Sequence, residues 1–242
     1  MKQGFVKVAS ATPRIRVADP VYNAQVICEQ AKEAAEHGAK IVVFPELCIT
    51  GYTCNDLFLQ ELLLEKAKEA LLTIVEETGQ LEALFLVGLP VDKDGRLYNV
   101  AAVLYRGRIL GMIPKKNIPM YAEFYEGRHF TPGEETVTEY RLGKQEIPFG
   151  TNLLFRCEEL PELILGCELC EDLWVAEPPS TSHALMGATV IANLSASNET
   201  VSKDDYRTLL VKASSARLLC GYIYTSAGEG ESTQDLVFGG HD

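Results

Sequence analysis

The stretch Lys40–Tyr52 reads KIVVFPELCITGY. Four apolar residues in a row, Ile41–Phe44, offer water neither face of a strand, so that strand has to be covered on both sides. Pro45 has no N–H to donate to a ladder and ends the run, and Glu46 follows at once. A short buried strand ending in a carboxylate is the pattern of an α/β protein, where helices blanket the sheet and polar groups gather at strand ends. The rest of the chain repeats it. Phe5–Ala11 reads as a strand, and Val21–His37 is amphipathic at helical period with Gly38 as its stop. Asp56–Glu77 reads as one long helix. Leu84–Val91, Leu97–Tyr105 and Ile109–Ile113 read as strands separated by Asp92–Gly95 and Gly107. Beyond a loop-rich segment, Pro114–Gly150, come a strand at Leu163–Leu169, a helix near Ser182–Ala188 and a strand at Thr189–Leu194. A helix Asp204–Cys220, opened by Ser202-x-x-Asp205 and closed by Gly221, leads to the strand Tyr222–Ser226.

No linker, repeat or low-complexity segment interrupts this alternation, so residues 1–242 are expected to form one domain. The last residues, LVFGGHD, break off in what reads as a strand and the start of a turn, and the natural chain is expected to continue. With a formal charge of −12 and no long Lys/Arg run, the chain is a poor partner for nucleic acid or an anionic membrane surface. MKQGFVKVASATP lacks the apolar core of a signal peptide, and no stretch approaches the ~20 apolar residues of a membrane span. Seven cysteines, odd in number and irregularly spaced, fit reduced thiols in a cytoplasm better than a disulfide framework.

Three strand ends carry chemistry. Glu46 is placed at the mouth of the core, where a carboxylate can act as a base, although most glutamates are simply solvated. Its replacement by glutamine is expected to remove turnover without unfolding the domain, since a strand-end carboxylate contributes little packing. Lys115, in ILGMIPKKNIPMY, is the first polar side chain after a strand and brings a positive charge without a metal; Lys116 reads as solvated. Cys170, in LILGCELCEDLW, stands among Glu168, Glu171 and Asp172, which disfavour a thiolate. An inert buried cysteine is the ordinary alternative. Strand alternation sends Cys167 and Cys170 to opposite faces, which argues against a redox pair, and no second CxxC or HxxxH completes a zinc site. Glutamate, lysine and cysteine at strand ends fit nucleophilic attack on an amide: Cys170 attacks, Glu46 moves the proton, and Lys115 offsets the acidic surroundings and the developing oxyanion.

At these residues the chain resembles the nitrilase (carbon–nitrogen hydrolase) superfamily. FPELCITGY matches its glutamate motif, IPKKNIPMYAEFYEGRHFTPG its lysine motif and LGCELCEDLW its cysteine motif, in the family's order. The resemblance covers nearly the whole chain. It implies an α/β fold of the nitrilase-type αββα sandwich, two mixed sheets covered by helices, with its last strands beyond GGHD. It also implies a Glu46–Lys115–Cys170 triad, with Glu126 positioning Lys115; a loop carboxylate paired with Arg128 is the plainer reading of Glu126. CEDLW, the YAEFYE loop and NLSAS are most similar to the N-terminal glutaminase domains of glutamine-dependent NAD synthetases. In that branch the positions of Tyr121, Ser197 and Lys203 bind L-glutamine. Tyrosine and serine hydroxyls suit an amino-acid head group, and Lys203 suits its carboxylate.

The resemblance further implies that the amidase step needs no metal or organic cofactor. ATP and Mg would serve only a C-terminal synthetase domain that this chain does not include. It implies a homo-oligomer, at least a dimer, paired through the helical layer near the lysine loop and the cysteine. A free-standing ω-amidase or N-carbamoyl amidohydrolase of the same superfamily is the competing enzyme reading. A catalytically silent assembly module is the competing reading from another class, and the intact triad argues against it.

Overall fold

The computed structural model describes residues 4–233 and 235–242. In chain order the regular elements are β1 (Val8–Ser10), α1 (Pro20–Glu36), β2 (Ile41–Val43), α2 (Glu61–Glu77), β3 (Leu84–Lys93), β4 (Arg96–Tyr105) and β5 (Arg108–Pro114). They continue with β6 (Thr138–Leu142), β7 (Gln145–Phe149), β8 (Phe155–Arg156), β9 (Ile164–Leu169), α3 (Pro179–Leu185), β10 (Val190–Ser195), α4 (Lys203–Leu218) and β11 (Gly221–Ser226). Seven strands form one sheet in the order β1-β2-β3-β4-β5-β7-β6, and four form a second in the order β11-β10-β9-β8. Both mix parallel and antiparallel pairs, so the expected sandwich of two mixed sheets is the observed architecture.

Period-two alternation divides each strand between two cores. Val42, Phe85 and Val87 pack outward with Ile27, Ala31, Leu71 and Ile74 of α1 and α2. Ile41, Val43 and Leu86 point the other way and meet Leu165, Cys167, Leu169 and Leu194 of the second sheet. A smaller cluster, Ala188, Ile191 and Cys220, seats α3 and α4 on the far face. Strands covered on both sides carry no solvated face, which is why they read as unbroken apolar runs. Among the described residues no helix is long and apolar enough to cross a membrane.

Four local expectations change. The helix predicted over Asp56–Glu77 starts only at Glu61. Before it, Tyr52–Leu59 forms 3₁₀ turns bent at Asn55 (φ 49°), and Gln60 is extended. This segment is tied elsewhere: Asp56 accepts from both Arg128 and His129. Second, the loop-rich middle holds a hairpin, β6–β7, turning at Gly143 (φ 60°). Only Tyr140, Ile147 and Phe149 of it are buried, too thin a stripe to stand out in the sequence. Third, Ser202 is left-handed (φ 64°) and its side chain accepts no capping bond from α4, and the left-handed stop of that helix is Leu219 (φ 54°), not Gly221. Last, α3 sits about one turn earlier than expected, because Pro179 occupies its first turn.

Candidate active site

Glu46 leaves β2 on a turn wedged between the two sheets. Its N–H donates to Ser195 O (3.3 Å), while Ile49 N donates to Gly88 O (3.1 Å). Gly88 has to be glycine: a Cβ there would lie 2.2 Å from Leu47 N. The Glu46 side chain is fully buried, and three donors converge on it. Oε1 accepts from Asn99 Nδ2 (2.7 Å) and Lys115 Nζ (2.7 Å), and Oε2 from Ala196 N (2.9 Å). The expectation of little packing therefore fails, because no part of this carboxylate reaches solvent.

Lys115 follows β5 directly, its N–H held by Asn99 O (2.8 Å) and its carbonyl by Gly133 N (2.7 Å). Its ammonium is 0% exposed and bridges Glu46 and Glu126, each at 2.7 Å. Burial alone would push the ammonium down. The charges of Glu126 and Glu46 overcome it and hold Lys115 well above the usual lysine value. Glu126 lies in the 3₁₀ turn Glu126–Arg128, and Tyr52 Oη also donates to its Oε1 (2.7 Å). Burial raises its carboxyl despite Lys115 beside it. Arg128 pairs with Asp56 instead, so the plainer reading of Glu126 does not hold.

Cys170 begins a 3₁₀ turn at the end of β9 with φ 41°, a left-handed conformation that a residue with a Cβ rarely adopts. Its N–H is held by Asn193 Oδ1 (3.2 Å). Asn193 is fixed in turn by Ser195 Oγ (2.7 Å) and Tyr222 Oη (3.2 Å). The three neighbouring carboxylates, which looked hostile to the thiol, all face other partners. Glu168 accepts from Ser180 N and Tyr222 Oη, and Glu171 from Tyr121 Oη (3.0 Å). Asp172 closes the turn on Leu169 N (3.0 Å) and takes Asn117 N and Nδ2 (2.8 Å each), tying the cysteine turn to the lysine loop. Burial first, then the charge of Glu46, push the Cys170 thiol far up, while Lys115 pulls it down. The resting group is a thiol, and a thiol becomes a nucleophile only once a base takes its proton. Cys167 points into the core between the sheets, so the two sulfurs diverge as expected.

In front of Cys170 opens a cleft of about 390 Å³, lined among others by Tyr121, Glu123, Glu171, Trp174, Ser197 and Lys203. The sequence-predicted residues thus fall into two groups sharing Cys170: Glu46, Lys115 and Glu126 behind it, and Tyr121, Ser197 and Lys203 around the opening. Lys203 Nζ lies between the rings of Trp174 (5.3 Å) and Phe124 (5.4 Å) and donates to Asn198 Oδ1. Burial pushes its ammonium down. Ser197 Oγ accepts from the buried Arg207 (3.3 Å). Asn99, Asn193 and Tyr52 were not singled out from the sequence. Asn99, in LYNVAAVLY, and Asn193, in IANLS, each had a signal there as a polar residue within an apolar run.

Buried Glu168, beside the cysteine turn, gives a pH test of stability. Burial raises its carboxyl from 4.5 to about 7. Between those values the folded protein holds a proton that the unfolded chain has released, so stability falls as pH rises. Glu168→Gln removes this titration. The stability of the wild type relative to that variant is expected to fall by about 3 kcal/mol between about pH 4 and pH 8. Urea unfolding at both pH values checks it; a constant difference would mean that Glu168 titrates as in the unfolded chain.

A sequence profile of the carbon–nitrogen hydrolase family matches residues 7–241. The glutamine-dependent NAD(+) synthetase of Mycobacterium tuberculosis is 44% identical over 99% of this chain, which spans 35% of that protein. The corresponding protein of Aquifex aeolicus is 30% identical over 93% of this chain, again 35% of its own length. This chain thus spans about a third of the length of these relatives. The crystal structure of a glutamine-dependent NAD(+) synthetase from Cytophaga hutchinsonii superposes with a TM-score of 0.83 at 29% identity, covering 92% of this chain and 36% of that one. An amidase from Nesterenkonia sp. shares the fold at 20% identity, with a TM-score of 0.74 over 98% of this chain and 81% of its own.

Proposed function

The chain belongs to the carbon–nitrogen hydrolase family, and on that footing we propose that it hydrolyses the side-chain amide of L-glutamine. The ammonia released would serve NAD synthesis from deamido-NAD on an ATP-dependent synthetase domain C-terminal to it. The observation that carries this reading is the cleft. Cys170 stands in a wall that also carries a cation, Lys203, and two carboxylates, Glu123 and Glu171. An amino acid presents the complementary pair, a carboxylate for Lys203 and an ammonium for the acidic side.

The chemistry follows from the buried groups. Glu46 takes the proton from Sγ as Sγ bonds to the amide carbon, and Lys115 stabilises the oxyanion that forms. Collapse breaks the C–N bond, Glu46 returns the proton to nitrogen, and ammonia leaves a γ-glutamyl thioester on Cys170. Water then attacks the thioester carbon while Glu46 takes its proton. The C–S bond breaks, the proton returns to sulfur, and glutamate leaves. Glu126 keeps Lys115 aimed, and Tyr121 and Ser197 hold the head group.

Two further parts of the proposal rest on the surface. Leu185 (85% exposed) and Leu219 (89% exposed) lie on the α3–α4 layer, an apolar face suited to a second copy of the chain. Light scattering that finds only monomers over a wide concentration range would overturn it. The seven cysteines are all free, which suits the cytoplasm.

The glutamine analogue 6-diazo-5-oxo-norleucine tests the function. Peptide mass spectrometry is expected to place a single adduct on Cys170, suppressed by excess L-glutamine but not by asparagine. An adduct on Cys167 or Cys220, or protection by asparagine, contradicts the assignment.

A further inference from the structure

The 3₁₀ segment Tyr52–Leu59 opens after Gly51, which has no side chain to cap the first free N–H groups. The cap arrives from 179 residues away. Glu231 Oε1 accepts from Tyr52 N at 2.7 Å, and its Oε2 takes Thr53 N and Thr53 Oγ1 at 3.3 Å each. The Glu231 carbonyl takes Thr53 Oγ1 as well (3.0 Å). The carboxylate is 1% exposed, and its own strand of chain is clamped. A Cβ on Gly230 would lie 2.0 Å from Ile15 O, and Ile15 N donates to Glu229 O (3.2 Å). A buried carboxylate is expensive to keep unless its donors are well placed, and here all of them belong to Tyr52 and Thr53.

The same Tyr52 reaches the site with its other end, where its hydroxyl donates to the Glu126 oxygen that also holds Lys115. We propose that Glu231 is a positioning residue for the Glu126–Lys115 pair, acting through Tyr52. It fixes the Tyr52 backbone, so the phenol arrives at a set depth, and the Glu126 oxygen is held where Lys115 needs it. The proposal rests on the reading of Cys170 and Lys115 as reacting groups, not on glutamine as substrate.

The test is the rate at which Cys170 in the full chain is modified by 6-diazo-5-oxo-norleucine and, separately, by iodoacetamide, with sites assigned by mass spectrometry. Glu231→Gln and Tyr52→Phe are each expected to slow modification by about 10- to 100-fold. The analogue concentration giving half-maximal rate should stay unchanged. The double variant should be no slower than the slower single one, since both act through one phenol. Multiplying effects, wild-type rates in Tyr52→Phe, or a Glu231→Gln protein that melts earlier yet reacts at the wild-type rate when folded would each overturn it. Should Glu231→Gln not fold, Glu231→Asp keeps the charge, loses a methylene of reach, and is judged by the same criteria. A wild type that ignores the analogue but is alkylated at Cys170 refutes the glutamine reading alone. The positioning role is then decided by the iodoacetamide rates.

Discussion

Cys170→Ala is expected to lower glutamine hydrolysis by at least about 10⁴-fold while the folded state survives. Cys170 is the cysteine among the residues lining the cleft. Cys167 is sealed between the sheets, and Cys220 is buried at the end of α4 with its sulfur on Ala188 O. Alanine keeps the Cβ, so the left-handed turn and its bond from Cys170 N to Asn193 stay as they are. The lost sulfur leaves a small void costing about 1 kcal/mol. Ammonia release, measured beside a urea unfolding curve, separates the two effects. Activity above about one hundredth of wild type in a folded variant would mean that another group attacks the amide.

Glu46→Gln is expected to cost turnover about 10³-fold, the usual weight of a general base, and here stability falls too. Asn99 Nδ2, Lys115 Nζ and Ala196 N all point their hydrogens at this carboxylate. Glutamine offers one oxygen to them, and its NH₂ must face a donor. One buried pair then goes unsatisfied, at about 1–3 kcal/mol. Lys115 keeps Glu126 as counter-charge, so the fold should hold. Ammonia release and unfolding curves again report both terms. A Glu46→Gln protein that turns over normally would remove Glu46 from the chemistry, and one that does not fold would make its role structural.

The groups singled out from the sequence share one property: each stands where an apolar run ends. Glu46, Lys115 and Cys170 mark places where a buried strand stops, and the strands themselves read clearly because both faces are covered. What escaped is held by distant chain. Asn99 lies inside β4, an ordinary polar residue until the fold brings Glu46 to it. The bend at Asn55–Gln60 interrupts a helical period in a segment tied to remote chain, Tyr52 and Thr53 to Glu231 and Asp56 to Arg128, 72 residues away. Ser202 and Asp205 have the spelling of a cap without its backbone geometry, since Ser202 is left-handed and its side chain makes no capping bond. The β6–β7 hairpin buries too few side chains to show a stripe.

The two sheets do not contribute alike to the centre. Glu46 and Lys115 hang from the seven-stranded sheet, whereas Cys170 and the Ala196 amide hang from the four-stranded one. Glu46 and the thiol therefore meet only if Ile41, Val43, Cys167 and Leu169 seat the two halves at one spacing. A slip of about half an ångström there would part Glu46 from the thiol. The turnover number is thus a vernier on how closely the sandwich is shut.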